Sequence, residues 1–441
     1  MKKLNVLMGG RPLGTLTQDS KGRLSFQYTD SWVKFDRNFN LSFSIPVSDR
    51  TFEGRRLENF LWNLLPDNEA TLKAWGNEFG VSSKNAFALL EKVGEDCAGA
   101  VQFVTDEWLS QNRLMSKGQV EWLSEKDVED RLRRLVENGT WSGRTQSDRG
   151  HFSLAGAQPK FALLCQGGKW GVPSGRVATT HIFKPPMPHL NGVTENEHAC
   201  LQLARRVGLT AAESEVGHFG DQIAIVVKRY DREEDAQGNI RRFHQEDFCQ
   251  ALGVHPANKY QKDGGPSPEQ MGQVLTSITR ASALDSKERL INGLIFNFLI
   301  GGTDAHAKNF SIMHLSGKDG PISAMAPFYD LISYDPYADN PRDLHGLKMA
   351  MKVKYYEFEK VMPRHWETLS SEMGVDPEKT IGALNALSHA IPDEMSAIRD
   401  RCRSDGLNAP ILDKMVDTMA ARCERIKRVY GSAFQTDLPK P

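Results

Sequence analysis

The residues most able to do chemistry in this chain lie in and just after the loop of residues 302–311. Asp304 follows a glycine pair, and Asn309 comes five positions after it. A second acidic residue, Asp330, follows two aromatic residues, twenty-one positions beyond Asn309. The order carboxylate, amide, carboxylate serves ATP-dependent phosphoryl transfer, in which one carboxylate orients the acceptor hydroxyl and the other two groups bind Mg²⁺. The loop therefore predicts transfer of phosphate.

Each of these residues also has a simpler interpretation. The Asp304–Asn309 spacing on its own is compatible with an ordinary solvated turn. Asp330 on its own is compatible with an N-cap for a helix that starts at Leu331. The glycine pair at the end of an apolar helix, together with the order of the three groups, favours the catalytic interpretation.

Three further segments are candidates for contacts to the nucleotide. Lys184 ends an apolar strand, where it is placed to contact phosphates as a point charge and to pair with Glu197. A lysine that reaches solvent from an edge strand is the alternative. The small-residue loop 154–160 lets backbone N–H groups approach a phosphate, although it is also compatible with a tight turn. Residues 228–230 end a buried strand, the position at which the backbone of a kinase hinge holds adenine. The alternative is a strand end that meets solvent.

Composition excludes several other classes of function. The chain has 441 residues and a net charge of -1, so it has no global attraction to nucleic acid or to anionic membranes. Its six cysteines are scattered without Cys-x-x-Cys spacing, which indicates reduced thiols in a cytoplasmic protein. The N-terminus does not have the pattern of a signal peptide, and the longest apolar run is too short and polar to cross a bilayer. The zinc-protease and serine-hydrolase motifs are both absent.

Hydrophobic periodicity predicts the elements that position these residues. Strands are expected before residue 50, including an alternating strand at 41–46, and later at 98–104, 160–165, 179–184 and 223–227. Helices are expected at 57–65, 82–92, 125–137 and just before 125, 195–206, 284–300 and 378–428, with a linker at 138–150. We predict an α+β fold. A β-rich N-terminal domain, residues 1–145, packs on a protein-kinase-like domain, residues 146–441, that has a mainly helical C-terminal lobe.

Taken together, these motifs resemble the HipA family of serine/threonine kinases, the toxins of type II toxin–antitoxin pairs. The N-terminal part matches in residues 41–46, 63–66 and 94–101. The kinase part matches in residues 153–160, 180–184, 196–197, 245–247, 263–266, 302–311 and 327–330. The resemblance covers nearly the whole chain.

The resemblance implies a role for each matching position. Asp304 is expected to be the catalytic aspartate, Asn309 and Asp330 the Mg²⁺ ligands, and Ser153 the site of autophosphorylation. Phospho-Ser153 would carry about -1.5 to -2 charges and repel ATP from the adjacent loop. The expected ATP-binding residues are Ala155, Gly156, Ala157, Gln158, Pro159, Lys160, Lys184, Lys228, Arg229, Tyr230, His306, Ala307, Lys308, Asn309, Tyr329, Asp330, Leu331 and Ile332.

The resemblance also implies partners. These are a helix-turn-helix antitoxin similar to HipB, operator DNA contacted through that antitoxin, and a protein substrate such as an aminoacyl-tRNA synthetase; no membrane is expected. Two departures from the family pattern are the short segment 352–356, which makes direct DNA contact doubtful, and Pro159 in the phosphate-side loop. A catalytically weak corepressor and a small-molecule kinase are the alternative functions.

Overall fold

The computed structural model describes residues 1–36, 38–111, 118–143, 155–156, 158–278, 280–317, 320–338, 346–407 and 409–434. The chain divides into two compact units. Unit 1 comprises Met1–Pro185, Gly217–Ala257 and Ser311–Ser323, and unit 2 comprises Pro186–Val216, Asn258–Phe310 and Ala324–Pro441. Sheets and helices occur together, so the predicted α+β class is confirmed. This division does not test the predicted boundary at residue 145, which stays a prediction.

The N-terminal part of unit 1 is an antiparallel five-stranded sheet covered by helices. Its order is β4-β3-β2-β1-β5, with strands β1 (Lys2–Met8), β2 (Arg11–Gln18), β3 (Leu24–Tyr28), β4 (Thr51–Glu53) and β5 (Val101–Val104). The helices are α1 (Asp30–Val33), α2 (Arg55–Trp62), α3 (Glu69–Phe79), α4 (Ala86–Val93) and α5 (Asp106–Ser110). Alternate side chains of β1, such as Leu4 and Val6, are fully buried, as expected for a sheet with one covered face. These strands and helices confirm most of the predicted pattern.

Residues 41–46 form a turn instead of the predicted strand. The backbone N–H of Ile45 donates to the carbonyl of Ser42 at 2.9 Å, which closes the turn. The Tyr28 hydroxyl holds both ends, because it donates to the Ile45 carbonyl at 2.5 Å and accepts from the Leu41 N–H at 2.7 Å. A buried tyrosine from a neighbouring strand thus satisfies the backbone groups that a sheet ladder would otherwise satisfy.

The second sheet of the chain has six strands, in the order β10-β11-β9-β7-β8-β6. They are β6 (Gln119–Trp122), β7 (Phe161–Gln166), β8 (Lys169–Ser174), β9 (His181–Lys184), β10 (Ser214–Phe219) and β11 (Gln222–Lys228). Helix α6 (Glu125–Glu137) buries Val128 and Leu132 against Phe161 and Phe183 of this sheet. Helix α7 (Val193–Arg206) and, further on, β12 (Arg232–Glu234), β13 (Ile240–Arg242), β14 (His244–Asp247) and α8 (Phe248–Leu252) follow along the chain.

The segment just before residue 125 is a strand, β6, where a helix was predicted. It pairs antiparallel with β8, from Gln119 opposite Ser174 to Trp122 opposite Gly171. Strand β6 and helix α6 therefore pack with the second sheet. A four-residue strand is decided by its distant partner, which local periodicity does not reveal.

Unit 2 is mainly helical, as predicted. Its helices after α7 are α9 (Pro268–Thr276), α10 (Arg280–Ile300), α11 (Pro363–Met373), α12 (Pro377–Ser404) and α13 (Pro410–Phe434). The hairpin β17 (Lys348–Val353) and β18 (Tyr355–Glu357) precedes α11. Strand β15 (Ser311–Gly317) and most of β16 (Gly320–Met325) follow α10 along the chain but belong to unit 1, which includes Ser311–Ser323. Among the described residues, we find no helix that is both long and apolar enough to cross a membrane.

Candidate active site

The loop that carries Asp304 begins where helix α10 ends. Gly301 has a φ of +70°, a left-handed conformation that favours glycine. The N–H of Gly302 donates to the carbonyl of Asn297 at 2.8 Å, which closes the last turn of the helix. The predicted glycine stop is confirmed, and it releases the chain into the loop at a defined angle.

The five-residue spacing between Asp304 and Asn309 has a structural basis. Asn309 Nδ2 donates to the carbonyl oxygen of Asp304 at 2.8 Å. The backbone N–H of His306 donates to the same carbonyl, and the backbone N–H of Asn309 donates to the carbonyl of His306. A short 3-10 helix, Ala307–Asn309, completes the loop. Asp304 is half-buried, whereas Asn309 is only 9% exposed. The amide thus fixes the backbone on which the carboxylate of Asp304 sits.

Asp304 and Asp330 line the same pocket, although 26 positions separate them in the sequence. The pocket spans about 230 Å³, which includes space open to solvent, and its remaining lining residues are Asn297, Ala305, Ile332 and Tyr334. No cluster of three or more His, Cys, Asp or Glu side chains suited to a metal ion occurs in the described part of the chain.

Asp330 has a φ of 56°, in the left-handed region that residues other than glycine rarely adopt. Residues 331–334 are not helical, so the alternative that Asp330 caps a helix is wrong. A backbone in such a region costs of order 1–3 kcal/mol and persists only where the surrounding structure imposes it. Strain of this kind concentrates at functional sites, and here it falls on a carboxylate that lines the pocket.

Two tyrosines next to the pocket were not identified from the sequence. The Tyr260 hydroxyl donates to Asp304 Oδ1 at 2.5 Å. Burial raises the pKa of Tyr334, and the negative charges of Asp304 and Asp330 raise it further. The phenol of Tyr334 therefore stays protonated beside two carboxylates. Neither tyrosine belongs to a motif with a fixed spacing from Asp304, so only the tertiary structure reveals them.

Tyr329, which the family resemblance assigned to the nucleotide site, also stabilises the loop. Its hydroxyl donates to the Lys308 carbonyl at 2.6 Å. Ala307 and Lys308 are buried, as are Leu331 and Ile332. The structure therefore brings residues 304–309 and 329–332 together in unit 2, as their predicted common site requires.

Lys184 lies on an interior strand of the second sheet. Strand β9 has β11 on one side and β7 on the other, with Lys184 opposite Ile225. The residue is only 6% exposed. The alternative of a solvent-reaching lysine on an edge strand is therefore wrong. Its pairing with Glu197 stays a prediction.

The predicted phosphate-side loop is described only in part, because Ser153 and Ala157 lie outside the described residues. Gly156 has a φ of +109°, and its carbonyl accepts from the Asp67 N–H at 3.2 Å. Lys160 Nζ donates to the Ala155 carbonyl at 2.8 Å, and Gln158 Nε2 donates to the Pro185 carbonyl at 3.3 Å. The loop is thus tied both to the N-terminal part of unit 1 and to the residue after Lys184.

The side chain of Arg229, at the predicted hinge, belongs to a buried charge cluster. Its guanidinium binds Asp231 with two hydrogen bonds of 3.0 and 2.9 Å and donates to the carbonyl of Cys97 at 2.8 Å. The backbone N–H of Arg229 bonds the carbonyl of Thr180. Arg229 therefore supports the strand end from inside, while Lys228 beside it is exposed. A role of residues 228–230 in binding adenine stays a prediction.

Comparison with known protein families gives two matches along the chain. The HipA N-terminal domain matches residues 4–104, and the HipA-like C-terminal domain matches residues 152–395. The second match contains every residue that we assigned to catalysis or nucleotide binding.

Individual relatives agree with these matches. The chain is 33% identical to the Sinorhizobium fredii protein Y4mE over 430 residues, 97% of this chain and 99% of that protein. It is 30% identical over 352 residues to the serine/threonine-protein kinase toxin HipA of Shewanella oneidensis, covering 77% of each. The solved complex of Shewanella oneidensis HipA with HipB and operator DNA contains a chain that matches with a TM-score of 0.80 and 25% identity, over 99% of this chain and 100% of that one. The chain therefore belongs to the HipA family of serine/threonine-protein kinase toxins, and it is a protein kinase.

Proposed function

We propose that this kinase transfers the γ-phosphoryl group of ATP to a serine or threonine of a protein, with Asp304 as its catalytic residue. The observation that carries the proposal is the pocket that Asp304 shares with Asp330. The Asp304 carboxylate orients the acceptor hydroxyl and takes its proton as the bond to phosphorus forms. The rest of the catalysis is positioning and neutralisation of charge.

We propose Asn309 and Asp330 as the ligands of a Mg²⁺ ion, because hard cations prefer oxygen and both side chains carry it. The Nδ2 atom of Asn309 is committed to the Asp304 carbonyl, so Oδ1 is the atom that this amide would offer to a cation. The strained backbone of Asp330 supports the same role, since it directs a carboxylate into the pocket. When bound, Mg²⁺ neutralises the charge that develops on the phosphate oxygens.

Lys184 is proposed to contact the ATP phosphates. Its burial on an interior strand supports this role, because a buried ammonium group is stabilised by nearby negative charge. We propose that the loop 155–160 lies along the phosphates and that residues 228–230 hold adenine. Residues 306–309 and 329–332 would line the remainder of the nucleotide site.

We further propose that the kinase is the toxin of a toxin–antitoxin pair and acts in the cytoplasm. The solved relative is bound to HipB and operator DNA, which supports a helix-turn-helix antitoxin as the partner that contacts DNA. An aminoacyl-tRNA synthetase or another translation protein is the proposed substrate.

Autophosphorylation of Ser153 is proposed to switch the kinase off. A phosphate there adds about -1.5 to -2 charges two residues before the phosphate-side loop, where it would repel ATP. The test compares the ATP affinity of the stably phosphorylated protein with that of the Ser153→Ala variant. Equal affinities would refute the switch without affecting the catalytic assignment.

The catalytic assignment is tested with Asp304→Asn, which keeps the size of the side chain. Incorporation of label from γ-labelled ATP into the kinase and into lysate proteins is expected to fall about 10²- to 10⁴-fold. The exposed Asp393 of α12 provides the matched control, Asp393→Asn, which should retain wild-type incorporation. Full activity of Asp304→Asn would contradict the assignment. Label found only on a small molecule would favour a small-molecule kinase, and a wild-type protein that binds ATP without labelling anything would favour a corepressor.

A further inference from the structure

The side chain of Asn196, in the first turns of α7, binds both backbone groups of Ser333. Its Nδ2 donates to the Ser333 carbonyl at 2.8 Å, and its Oδ1 accepts from the Ser333 N–H at 3.0 Å. Both residues are completely buried. A primary amide offers a donor and an acceptor side by side, so it can close on a backbone unit in the way a neighbouring strand does. Asn196 lies in a segment that matches the family pattern, but the resemblance implied no role for it.

Other contacts hold the residues on either side of Ser333. The Ser333 hydroxyl donates to the Ile300 carbonyl at 2.6 Å, and the Tyr334 N–H donates to the Gly301 carbonyl at 3.1 Å. Asp335 accepts two hydrogen bonds from the Arg422 guanidinium, at 2.6 and 2.7 Å. The segment 333–335 is thus attached to the end of α10 and to α13, and Asn196 adds its attachment to α7.

Asp330 lies three residues before Ser333 and has the strained φ of 56°. A strained backbone keeps its conformation only if its surroundings leave it no alternative. We infer that Asn196 is a positioning residue, which holds the backbone of residues 330–333 so that the Asp330 carboxylate points into the pocket. This inference rests on the proposed role of Asp330 as a Mg²⁺ ligand. It makes the metal affinity of the site depend on the position of α7.

The test is the substitution Asn196→Asp, which keeps the acceptor but replaces the donor with an oxygen that faces the Ser333 carbonyl. Mn²⁺ serves as a spectroscopic probe for the Mg²⁺ site, and its binding is measured by electron paramagnetic resonance with a non-hydrolysable ATP analogue. Substitution of a group that orients a metal ligand typically weakens metal binding about 10- to 100-fold, and we expect a loss in that range. Affinity for the nucleotide without metal should stay at the wild-type value.

A control variant is needed to show that a loss of stability alone does not weaken Mn²⁺ binding. Ser370→Ala removes another completely buried polar side chain of unit 2, whose hydroxyl bonds the Trp366 carbonyl and Thr380 outside the pocket lining. This variant should melt at a lower temperature yet bind Mn²⁺ normally. If the buried carboxylate of Asn196→Asp prevents folding, Asn196→Ala removes both bonds to Ser333, and those to Tyr337 and Cys200, without adding a charge. It is measured in the same way. Wild-type Mn²⁺ affinity in a folded Asn196 variant would overturn the inference.

Asp330→Asn separates this inference from the proposed function. If Asp330→Asn leaves Mn²⁺ affinity unchanged, the proposed metal role has failed. If Asp330→Asn weakens Mn²⁺ binding but Asn196→Asp does not, the positioning role alone has failed. If Asn196 and Asp330 act through the same metal ligand, the double variant Asn196→Asp with Asp330→Asn should bind Mn²⁺ no more weakly than Asp330→Asn alone.

Discussion

The hydroxyl of Tyr260 donates a hydrogen bond to Oδ1 of Asp304. The tyrosine ring also meets His306 edge to face, with ring centroids 5.1 Å apart and planes at 83°. The Asp304 carboxylate, which is proposed to orient the acceptor hydroxyl, is therefore itself oriented by Tyr260, a residue outside its loop. A catalytic group that is held by a second residue loses less freedom when the substrate binds.

We expect Tyr260→Phe to lower the rate of phosphoryl transfer several-fold while leaving ATP affinity unchanged, because the substitution removes one restraint on Asp304 and keeps the ring. Steady-state kinetics at varied ATP separates the two effects. Tyr355→Phe is the matched control, since Tyr355 also meets a histidine ring edge to face, at 5.3 Å, but that ring belongs to His365, outside the loop that carries Asp304. A changed KM for ATP with an unchanged kcat would contradict this role of Tyr260.

Gly301→Ala should damage the site through a direct clash. A Cβ atom at this position would overlap the carboxylate of Asp335, and it would push Asp335 away from Arg422. Gly406→Ala is the matched control, because Gly406 has a similar φ of +84° and no described residue lies within 4 Å of an added Cβ. The control should lose only the roughly 1–2 kcal/mol that a left-handed residue costs. The Gly301 variant should lose more, together with its kinase activity. Equal losses in urea unfolding would count against the clash.

Lys184→Met is expected to weaken ATP binding without unfolding the protein. The side chain is buried on an interior strand, and methionine fills similar space without a charge. A hydrogen bond to a charged group is worth about 1.5–3 kcal/mol, so the dissociation constant for ATP should rise roughly 10- to 100-fold. Calorimetric titration measures this effect, with the exposed Lys169→Met on β8 as the control. If both variants bind ATP like the wild type, Lys184 does not contact the phosphates.

The buried charge cluster of unit 1 predicts a loss of stability in acid. Burial alone would raise the pKa of Asp96, but the charges of Arg232, Arg229 and Arg242 overcome that effect and lower it. The pKa of Asp231 is lowered in the same way by Arg229 and Arg232. A carboxyl group with a lowered folded-state pKa contributes stability above its ordinary pKa of about 3.9, and the contribution disappears as the pH falls below that value. The free energy of unfolding should therefore change little between pH 7 and 5 and drop steeply below about pH 4.

Asp96→Asn should remove much of this acid dependence and destabilise the fold at neutral pH. It leaves the guanidinium of Arg232, which now donates to Asp96 at 2.8 Å, with one carboxylate fewer in the cluster. Removing one partner of a buried ion pair costs about 3–5 kcal/mol. Asp19→Asn removes a half-buried carboxylate that pairs with Arg23 outside the cluster, and this control should leave the free energy of unfolding close to the wild-type value. A variant of Asp96 as stable as the wild type at pH 7 would disprove the contribution of the cluster.

Local sequence was sufficient for the elements with strong periodicity. The helices over residues 57–65 and 195–206 and the strands at 160–165 and 223–227 were predicted close to their observed bounds. Each helix has one apolar side at the helical period, and each strand is a short, continuously apolar run. The turn at 41–46 and strand β6 were predicted wrongly, because distant partners decide both. Tyr28 holds the two ends of the turn, and β8 provides the ladder for β6.

The sequence by itself determined the family, the fold class and the types of residue that stand near the catalytic loop. It did so because motif residues and hydrophobic periods are local properties of the chain. Only the tertiary structure decided that Asp304 and Asp330 line one pocket, and that Asp330 has a strained backbone next to a segment held by Asn196. These are relationships between residues from 26 to 137 positions apart, and their geometry depends on how packed helices meet. The role of a side chain depends on its neighbours in space, and these can be distant from it along the sequence.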